Sequence, residues 1–284
     1  MNVYIGNDND FNVDPLVDAI AMAVKDNTCS VISISFGYCG ATKSFFTSTL
    51  DSHFKQAVAQ NQTVVVSSGD MGAAGLVLNS TQTACVAGRS RNVNEMSADP
   101  NVTSVGGTEF NPTYNSSGND VGFVAEKVWN QASIGASGGG ESAYFKKPSY
   151  QIGKTPATDK NRDVPDVSMI AGLPGVFLGD DSTCLTLEGC GPGGVSEVDC
   201  CWGGTSLATP VFAGVVKLWN QKQGKRSGNI NLGASGLYAS QVGLREVKSG
   251  NNSFNGVTGF SAVAGYDRAT GWGTADIAKF LTRP

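Results

Sequence analysis

The chain has 284 residues, of which 40% are hydrophobic and 15% are charged, with 37 glycines and a net charge of −4. This composition is typical of a compact, loop-rich globular protein and excludes a disordered chain or a coiled coil. The acidic balance, without any basic run, makes nucleic acid and anionic membranes poor partners, and no apolar run approaches the roughly 20 residues that a membrane span needs.

The first half of the chain alternates predicted strands and helices. Strands are expected at 2–6, 30–37, 63–70 and 102–108, and helices at 14–26 and 50–61. The strands at 30–37 and 63–70 are nearly continuous β-branched runs, as expected of buried parallel strands. The first helix has Asp14 as its predicted N-cap and Pro15 as its first residue. This alternation predicts an α/β fold in which helices cover both faces of a parallel sheet.

The second half is expected to consist mainly of loops, with one long helix. Turn-rich sequence dominates 71–100 and 110–200, and the helix is predicted over 206–224, ending at Gly224. Pro210 lies close to the start of this helix, where proline is tolerated. Because neither an internal repeat nor a linker is visible, we predict one domain over 1–284.

Cysteines and glycosylation sequons point outside the cytosol. Four of the seven cysteines lie within 184–201. There is no Cys-x-x-Cys pair, and the single histidine, His53, is distant in sequence, so a disulfide-stapled loop is favoured over a metal site, with one cysteine left over. The adjacent Cys200 and Cys201 are expected to pair with different partners. Asn-X-Ser/Thr sequons begin at Asn61, Asn79, Asn101, Asn115 and Asn251. The sequence at 1–15 has neither the basic nor the apolar region of a signal peptide.

The stretch GGTSLATP, at 203–210, places Ser206 where the long helix begins. The unpaired N–H groups and the dipole of a helix N-terminus favour the negative charge that develops when a serine attacks a carbonyl group. An isolated Gly-Thr-Ser is explained more simply by a serine N-cap beside a tight turn. The longer stretch GGTSLATPVFAG is more specific, because it closely resembles the nucleophile helix of the subtilisin-like superfamily.

A second stretch, SSGD at 67–70, separates two branches of that superfamily. Subtilisins take their base from a histidine in a His-Gly-Thr context, whereas His53 lies in LDSHFKQAV and is better explained as an ordinary helical histidine. Where subtilisins place an oxyanion-hole asparagine after a buried strand, this chain has Asp70. Taken alone, Asp70 would be interpreted as a strand-end cap.

Six blocks resemble the sedolisin family, the serine-carboxyl peptidases, and occur in that family's order. They are SVISISFG, TVVVSSGDMGA, VTSVGGT, SGGGESAYFKKPSYQ, RDVPDVS and GGTSLATPVFAG. The resemblance covers residues 2 to 277. It implies a subtilisin-like three-layer fold with a central, mostly parallel sheet, and a secreted protein or one of an acidic lumen. It also implies that Ser206 is the nucleophile and Asp70 the oxyanion-hole residue. An aspartate donates a hydrogen bond only while protonated, so such a site is expected to cleave peptides in acid.

The same resemblance implies two binding segments. Gly138, Gly139 and Gly140 match the family's substrate-binding segment, where glycine backbone can pair with an extended peptide. The C-terminal region matches a calcium site with ligands at Glu246, Val247, Val263, Gly265 and Asp267. An all-oxygen set with two carboxylates suits calcium. Glu246, however, replaces the aspartate that is usual at the first ligand position. The alternative to substrate binding by the glycine segment is an ordinary flexible loop, and the alternative to the calcium site is a solvated loop.

The general base expected of this family is a glutamate with an aspartate four residues later, on a helix that precedes the strand matched to 2–6. No such pair stands ahead of that strand in this sequence, and Asp10, Asp14 and Asp18 align with later elements. We therefore expect a catalytic domain without its N-terminal strands and Glu/Asp helix, inactive alone, which is either an incomplete sequence or a processed fragment that needs its other piece. The alternative is a pseudopeptidase that binds peptides or other proteins without turnover.

Overall fold

The computed structural model describes residues 1–6, 14–110, 113–117, 120–122, 125–172 and 203–283. The helices are α1 (Pro15–Asp26), α2 (Asp51–Ala59), α3 (Thr205–Gln223) and α4 (Ile277–Phe280), with a π-helical turn, Phe45–Leu50, leading into α2. The strands, in chain order, are β1 (Val31–Ile34), β2 (Thr63–Ser67), β3 (Leu76–Leu78), β4 (Cys85–Ala87), β5 (Thr103–Glu109), β6 (Thr113–Tyr114), β7 (Asp120–Gly122), β8 (Lys127–Val128), β9 (Asn130–Gln131), β10 (Gly135–Ala136), β11 (Gly140–Lys146), β12 (Asn161–Val164), β13 (Val167–Ile170), β14 (Leu244–Arg245) and β15 (Thr274–Ala275).

The central sheet has the order β1-β2-β5-β13-β15-β14. Its pairs from β1 to β15 are parallel, whereas β14 and the short β8 join it antiparallel. The predicted, mostly parallel sheet is therefore confirmed. Among the described residues, β1 forms one edge of this sheet.

Helices cover the sheet on both faces, which confirms the three-layer arrangement. On one face α3 packs its buried side, including Phe212 and Val216, against Val65 of β2 and Val105 of β5. On the other face α1, α2 and the π-helical turn pack against Ile34 and neighbouring valines. The Asp14 side chain accepts the N–H groups of Leu16 and Val17, and so caps α1 as predicted.

Two expectations from the sequence differ from the structure. Residues 2–6 are irregular and not a strand; Val3 and Ile5 are 71% and 82% exposed. The predicted loop over 110–200 contains β13, which lies in the middle of the sheet between β5 and β15. Cys184, Cys190, Cys200 and Cys201 lie outside the described residues. Within the described part, Cys39 and Cys85 form a disulfide and Cys29 is free.

Candidate functional site

Ser206 is the second residue of α3, and its side chain is exposed. The helix begins after Gly204, which is buried and has a φ of +81°. A Cβ atom at position 204 would lie 2.6 Å from Oδ2 of Asp70. Glycine is therefore required here both by the backbone conformation and by the approach of a carboxylate.

Asp70 lies three residues beyond the end of β2, half-buried against the start of α3. Its Oδ1 accepts the backbone N–H and the hydroxyl of Thr205, each at 2.7 Å. The Thr205 hydroxyl in turn accepts the N–H of Gly69 at 3.1 Å. Asp70 thus satisfies one of the free N–H groups at the start of the helix, directly before Ser206.

Ser206 and Asp70 line the same cleft, which has a volume of about 360 Å³. One wall contains Ser35, whose hydroxyl donates to the backbone carbonyl of Ser206 at 2.8 Å. The amide of Asn94 joins the two walls, because it donates to the carbonyls of Phe36 and Ser67 at 2.9 and 2.8 Å. Among the described residues that line this cleft, Asp70 is the only carboxylate. The Cys39–Cys85 disulfide lies at its rim, since Cys85 is a lining residue.

The glycine segment, Gly138 to Gly140, is buried behind Asp70. Gly138 donates its N–H to the carbonyl of Gly69 at 2.7 Å. A Cβ atom at position 138 would lie 2.2 Å from the carbonyl oxygen of Ser68, and one at position 139 would lie 2.0 Å from that of Arg268. These glycines therefore allow close backbone packing, and the N–H of Gly138 is already used within the protein.

The five residues matched to a calcium site lie around one loop. Glu246 accepts the N–H of Gly265 at 3.1 Å, and Asp267 accepts that of Val263 at 3.2 Å. Val247 packs against Ala262 in a small buried cluster at the base of this loop. The residues of this predicted site are thus brought together.

The two carboxylates have different surroundings. Burial raises the pKa of Asp267, although the N–H groups of Ala269 and Thr270 donate to it. A hydrogen bond from Lys248 lowers the pKa of the exposed Glu246. In the described part of the chain, no group of three or more His, Cys, Asp or Glu side chains that could hold a metal occurs. A cation here would therefore rely on backbone oxygens for much of its coordination.

Sequence reasoning missed Ser35 and Asn94, which connect the cleft walls and α3. The only available signal was a pair of polar residues, Asn94 and Glu95, set between apolar residues before β5. The described residues also contain no helix long and apolar enough to cross a bilayer.

Comparison with known proteins finds one family profile and several relatives that resemble this chain. The subtilase family profile matches residues 1–230. Sedolisin from Pseudomonas sp. (strain 101) is 34% identical over 281 residues, covering 93% of this chain and 42% of the relative. Xanthomonalisin from Xanthomonas sp. (strain T-22) is 32% identical over 290 residues, covering 92% of this chain and 32% of the relative. This chain therefore spans less than half the length of either relative.

A solved structure gives the same result. It is described as Pseudomonas sedolisin (serine-carboxyl proteinase) complexed with two molecules of pseudo-iodotyrostatin. The two chains superpose with a TM-score of 0.72 at 31% identity, over 98% of this chain and 71% of that one.

Proposed function

The chain belongs to the sedolisin family, and we propose that it carries the nucleophile of a serine-carboxyl endopeptidase that cleaves peptides or proteins in acid. In this proposal Ser206 Oγ attacks the carbonyl carbon of the scissile bond. The carbon–nitrogen bond then breaks with a proton transferred to the leaving amine, and water hydrolyses the acyl-serine. The compartment would be extracellular or an acidic lumen.

The contact between Asp70 and the start of α3 carries this proposal. Both hydrogen bonds from Thr205 end on Oδ1 of Asp70, so we assign the catalytic proton to Oδ2. A protonated Oδ2 could donate to the oxyanion, together with the favourable field of the helix N-terminus. This requirement for a protonated aspartate is the reason that we place the activity in acid.

The general base is proposed to come from a further polypeptide fragment with a glutamate and an aspartate four residues apart. On a helix these two carboxyl groups share one face and can share a proton. Glu95 and Asp99 have this spacing within the chain, but neither of them lines the cleft that contains Ser206.

Two exposed features support a docked fragment. One is the β1 edge of the sheet. The other is the outer face of α3, defined by the exposed residues Pro210, Gly214 and Leu218, which lies opposite the buried side of the helix.

Two binding roles complete the proposal. The glycine segment would bind the peptide substrate through backbone groups other than the N–H of Gly138, which is used within the protein. Calcium would be held by the carboxylates of Glu246 and Asp267 and the carbonyls of Val247, Val263 and Gly265, where it would stabilise the loop. The oxygen-only donor set fits this ion in kind, although Lys248 competes for Glu246.

Peptide turnover with and without a fragment tests the proposal. The chain is incubated with a mixed peptide library at about pH 4, where carboxylate chemistry operates, alone and with the part of Pseudomonas sedolisin that it does not match. We expect no turnover by the chain alone and measurable turnover when the fragment is added. Ser206→Ala is expected to abolish that turnover.

Two other outcomes contradict parts of this proposal. Turnover by the chain alone would show that the base lies within it. Peptide binding without turnover under any condition would favour the alternative function, a peptide-binding pseudopeptidase.

A further inference from the structure

Glu95 has a buried carboxylate that the proposed chemistry does not use. The residue is 6% exposed. Its Oε2 accepts the hydroxyl of Ser142 at 2.6 Å, and its Oε1 accepts the N–H of Ala143 at 2.7 Å. Burial raises the pKa of Glu95 despite these hydrogen bonds. A buried carboxylate held by neutral donors is costly, so its position calls for an explanation.

Ser142 connects Glu95 to the backbone of β11. Its Oγ accepts the N–H groups of Tyr144 and Phe145 at 3.0 and 2.9 Å while it donates to Glu95. The pairing of β11 with β12 is irregular between Glu141 and Lys146. The Glu95–Ser142 pair therefore supplies hydrogen bonds at the start of β11, where the regular ladder is interrupted.

The two residues before Glu95, Val93 and Asn94, line the cleft that contains Ser206. Asn94 holds the carbonyls of Phe36 and Ser67 together across the two walls. The Cγ1 of Val93 lies 3.1 Å from the place that a Cβ of Gly140 would occupy. The segment 93–95 is thus packed between the cleft and the end of the glycine segment.

We propose that Glu95 is a positioning residue that fixes the glycine segment against the cleft and so sets how tightly a peptide substrate binds. Glycine loses more conformational freedom on ordering than any other residue, so three in succession need an external anchor. Gly138 is anchored by its hydrogen bond to Gly69. The Glu95 bonds to Ser142 and Ala143 anchor the other end.

The proposal makes two claims, that Glu95 anchors the glycine segment and that this anchoring sets peptide affinity. Only the second claim rests on the proposed function, because the anchoring is independent of peptide binding. Amide hydrogen exchange of residues 138–146 measures the anchoring directly. Glu95→Ala is expected to speed exchange in this segment by about tenfold or more, the effect of losing hydrogen bonds to a carboxylate, with exchange in α3 unchanged. Glu95→Gln keeps an acceptor for the N–H of Ala143 but replaces the acceptor of the Ser142 hydroxyl by an NH₂ group, and Ser142 Oγ already accepts two N–H groups. This variant is therefore expected to restore protection only in part.

Peptide affinity tests the second claim. Ser206→Ala prevents turnover, and in this background a hexapeptide chosen from the library is titrated into the chain with the sedolisin fragment present. Glu95→Ala is expected to weaken binding by about tenfold, and Glu95→Gln, which keeps only the hydrogen bond with Ala143, is expected to restore it in part. The matched control is Ser149→Ala, on the 3₁₀ turn Ser149–Gln151 outside this contact, which should leave affinity unchanged.

Each contrary result has one meaning. Unchanged exchange in Glu95→Ala overturns the anchoring, and faster exchange with unchanged affinity overturns the role in substrate binding. If Glu95→Ala does not fold, Glu95→Gln and Ser142→Ala, which both break the Ser142–Glu95 hydrogen bond, are each compared with the unsubstituted chain. Unchanged exchange and affinity in both variants overturn the proposal. If no library peptide binds before Glu95 is changed, the proposed function fails while the exchange result still stands.

Discussion

A side chain at position 204 would collide with the carboxylate that caps α3. Gly204→Ala places a methyl group 2.6 Å from Oδ2 of Asp70 on a backbone with a φ of +81°. We expect a loss of about 1–3 kcal/mol in the free energy of unfolding, measured by urea denaturation.

Gly214, which is also part of α3 but faces open space, provides the matched control. Gly214→Ala is expected to stabilise the chain by up to about 1 kcal/mol, because alanine is the better helix former. Equal effects of the two substitutions would contradict the proposed conflict between a Cβ at 204 and Asp70.

At the scale of single residues, the sequence predicted which residues belong to the candidate site, but it did not predict the contacts between them. The motif GGTSLATP placed Ser206 at a helix start, where the structure has it. The bonds from Thr205 to Asp70 join residues 135 positions apart, and no local periodicity reports such a pair. Glu95 was missed for the same reason, since its partner Ser142 is 47 positions away.

At the scale of elements, α3 has two faces with opposite roles. Phe212 is fully buried against the sheet, whereas Leu218 is 46% exposed on the outer face. Phe212→Ala is expected to cost about 3–5 kcal/mol in the free energy of unfolding, and Leu218→Ala well under half of that.

Leu218→Ala also tests whether the sedolisin fragment docks on the outer face of α3. Leu218→Ala is expected to weaken binding of the sedolisin fragment, measured by titration calorimetry, because it removes apolar surface from the outer face. Unchanged binding would show that the fragment does not cover this face.

The loop that we propose as a calcium site gives a prediction at the same scale. Calcium is expected to raise the melting temperature of the chain and EDTA to reverse the increase, because binding to the folded state alone stabilises it. Asp267→Asn should abolish the response. Asp276→Asn, which removes a carboxylate paired with Arg245 outside this loop, should retain it, and a response preserved in both variants would exclude Asp267 as a ligand.

Element prediction succeeded where the local signal was long and periodic. The helices α1 and α3 begin within a residue of their predicted starts, because caps and apolar spacing mark them. The strand predicted at 2–6 failed, since an apolar run becomes a strand only when a neighbour pairs with it. The strand β13 was missed because four residues within a glycine- and proline-rich region carry too little signal.

At the scale of the whole molecule, burial raises the pKa of five carboxyl groups in the described residues, namely Glu95, Asp99, Glu126, Asp163 and Asp267. A raised folded-state pKa means that the folded protein binds the proton more tightly than the unfolded chain does. Protonation of these five groups therefore favours the folded state.

Asp99 gives the sharpest test of this effect. Burial raises its pKa to about 7, whereas an aspartate in an unfolded chain titrates near 4. The stability from its protonation is fully present below about pH 4 and is lost as the pH rises through about 7. We expect the free energy of unfolding to fall over this window and the fall to be shallower in Asp99→Asn.

Asp276→Asn is again the control, because hydrogen bonds from Arg245 and Lys279 lower the pKa of this half-buried carboxyl group. Its removal should leave the slope between about pH 4 and 7 unchanged. A slope equally shallow in both variants would contradict the role assigned to Asp99.

The position of α3 across the sheet also determines when the site can form during folding. This helix packs on β1, β2, β5 and β13, and the Ser35–Ser206 contact closes a separation of 171 residues. Contacts between residues so far apart in sequence form slowly, because a large loss of chain entropy precedes them. The start of α3 therefore meets Asp70 only after the strands beneath the helix have been synthesised, so a nascent chain that lacks α3 has no assembled cleft around Ser206.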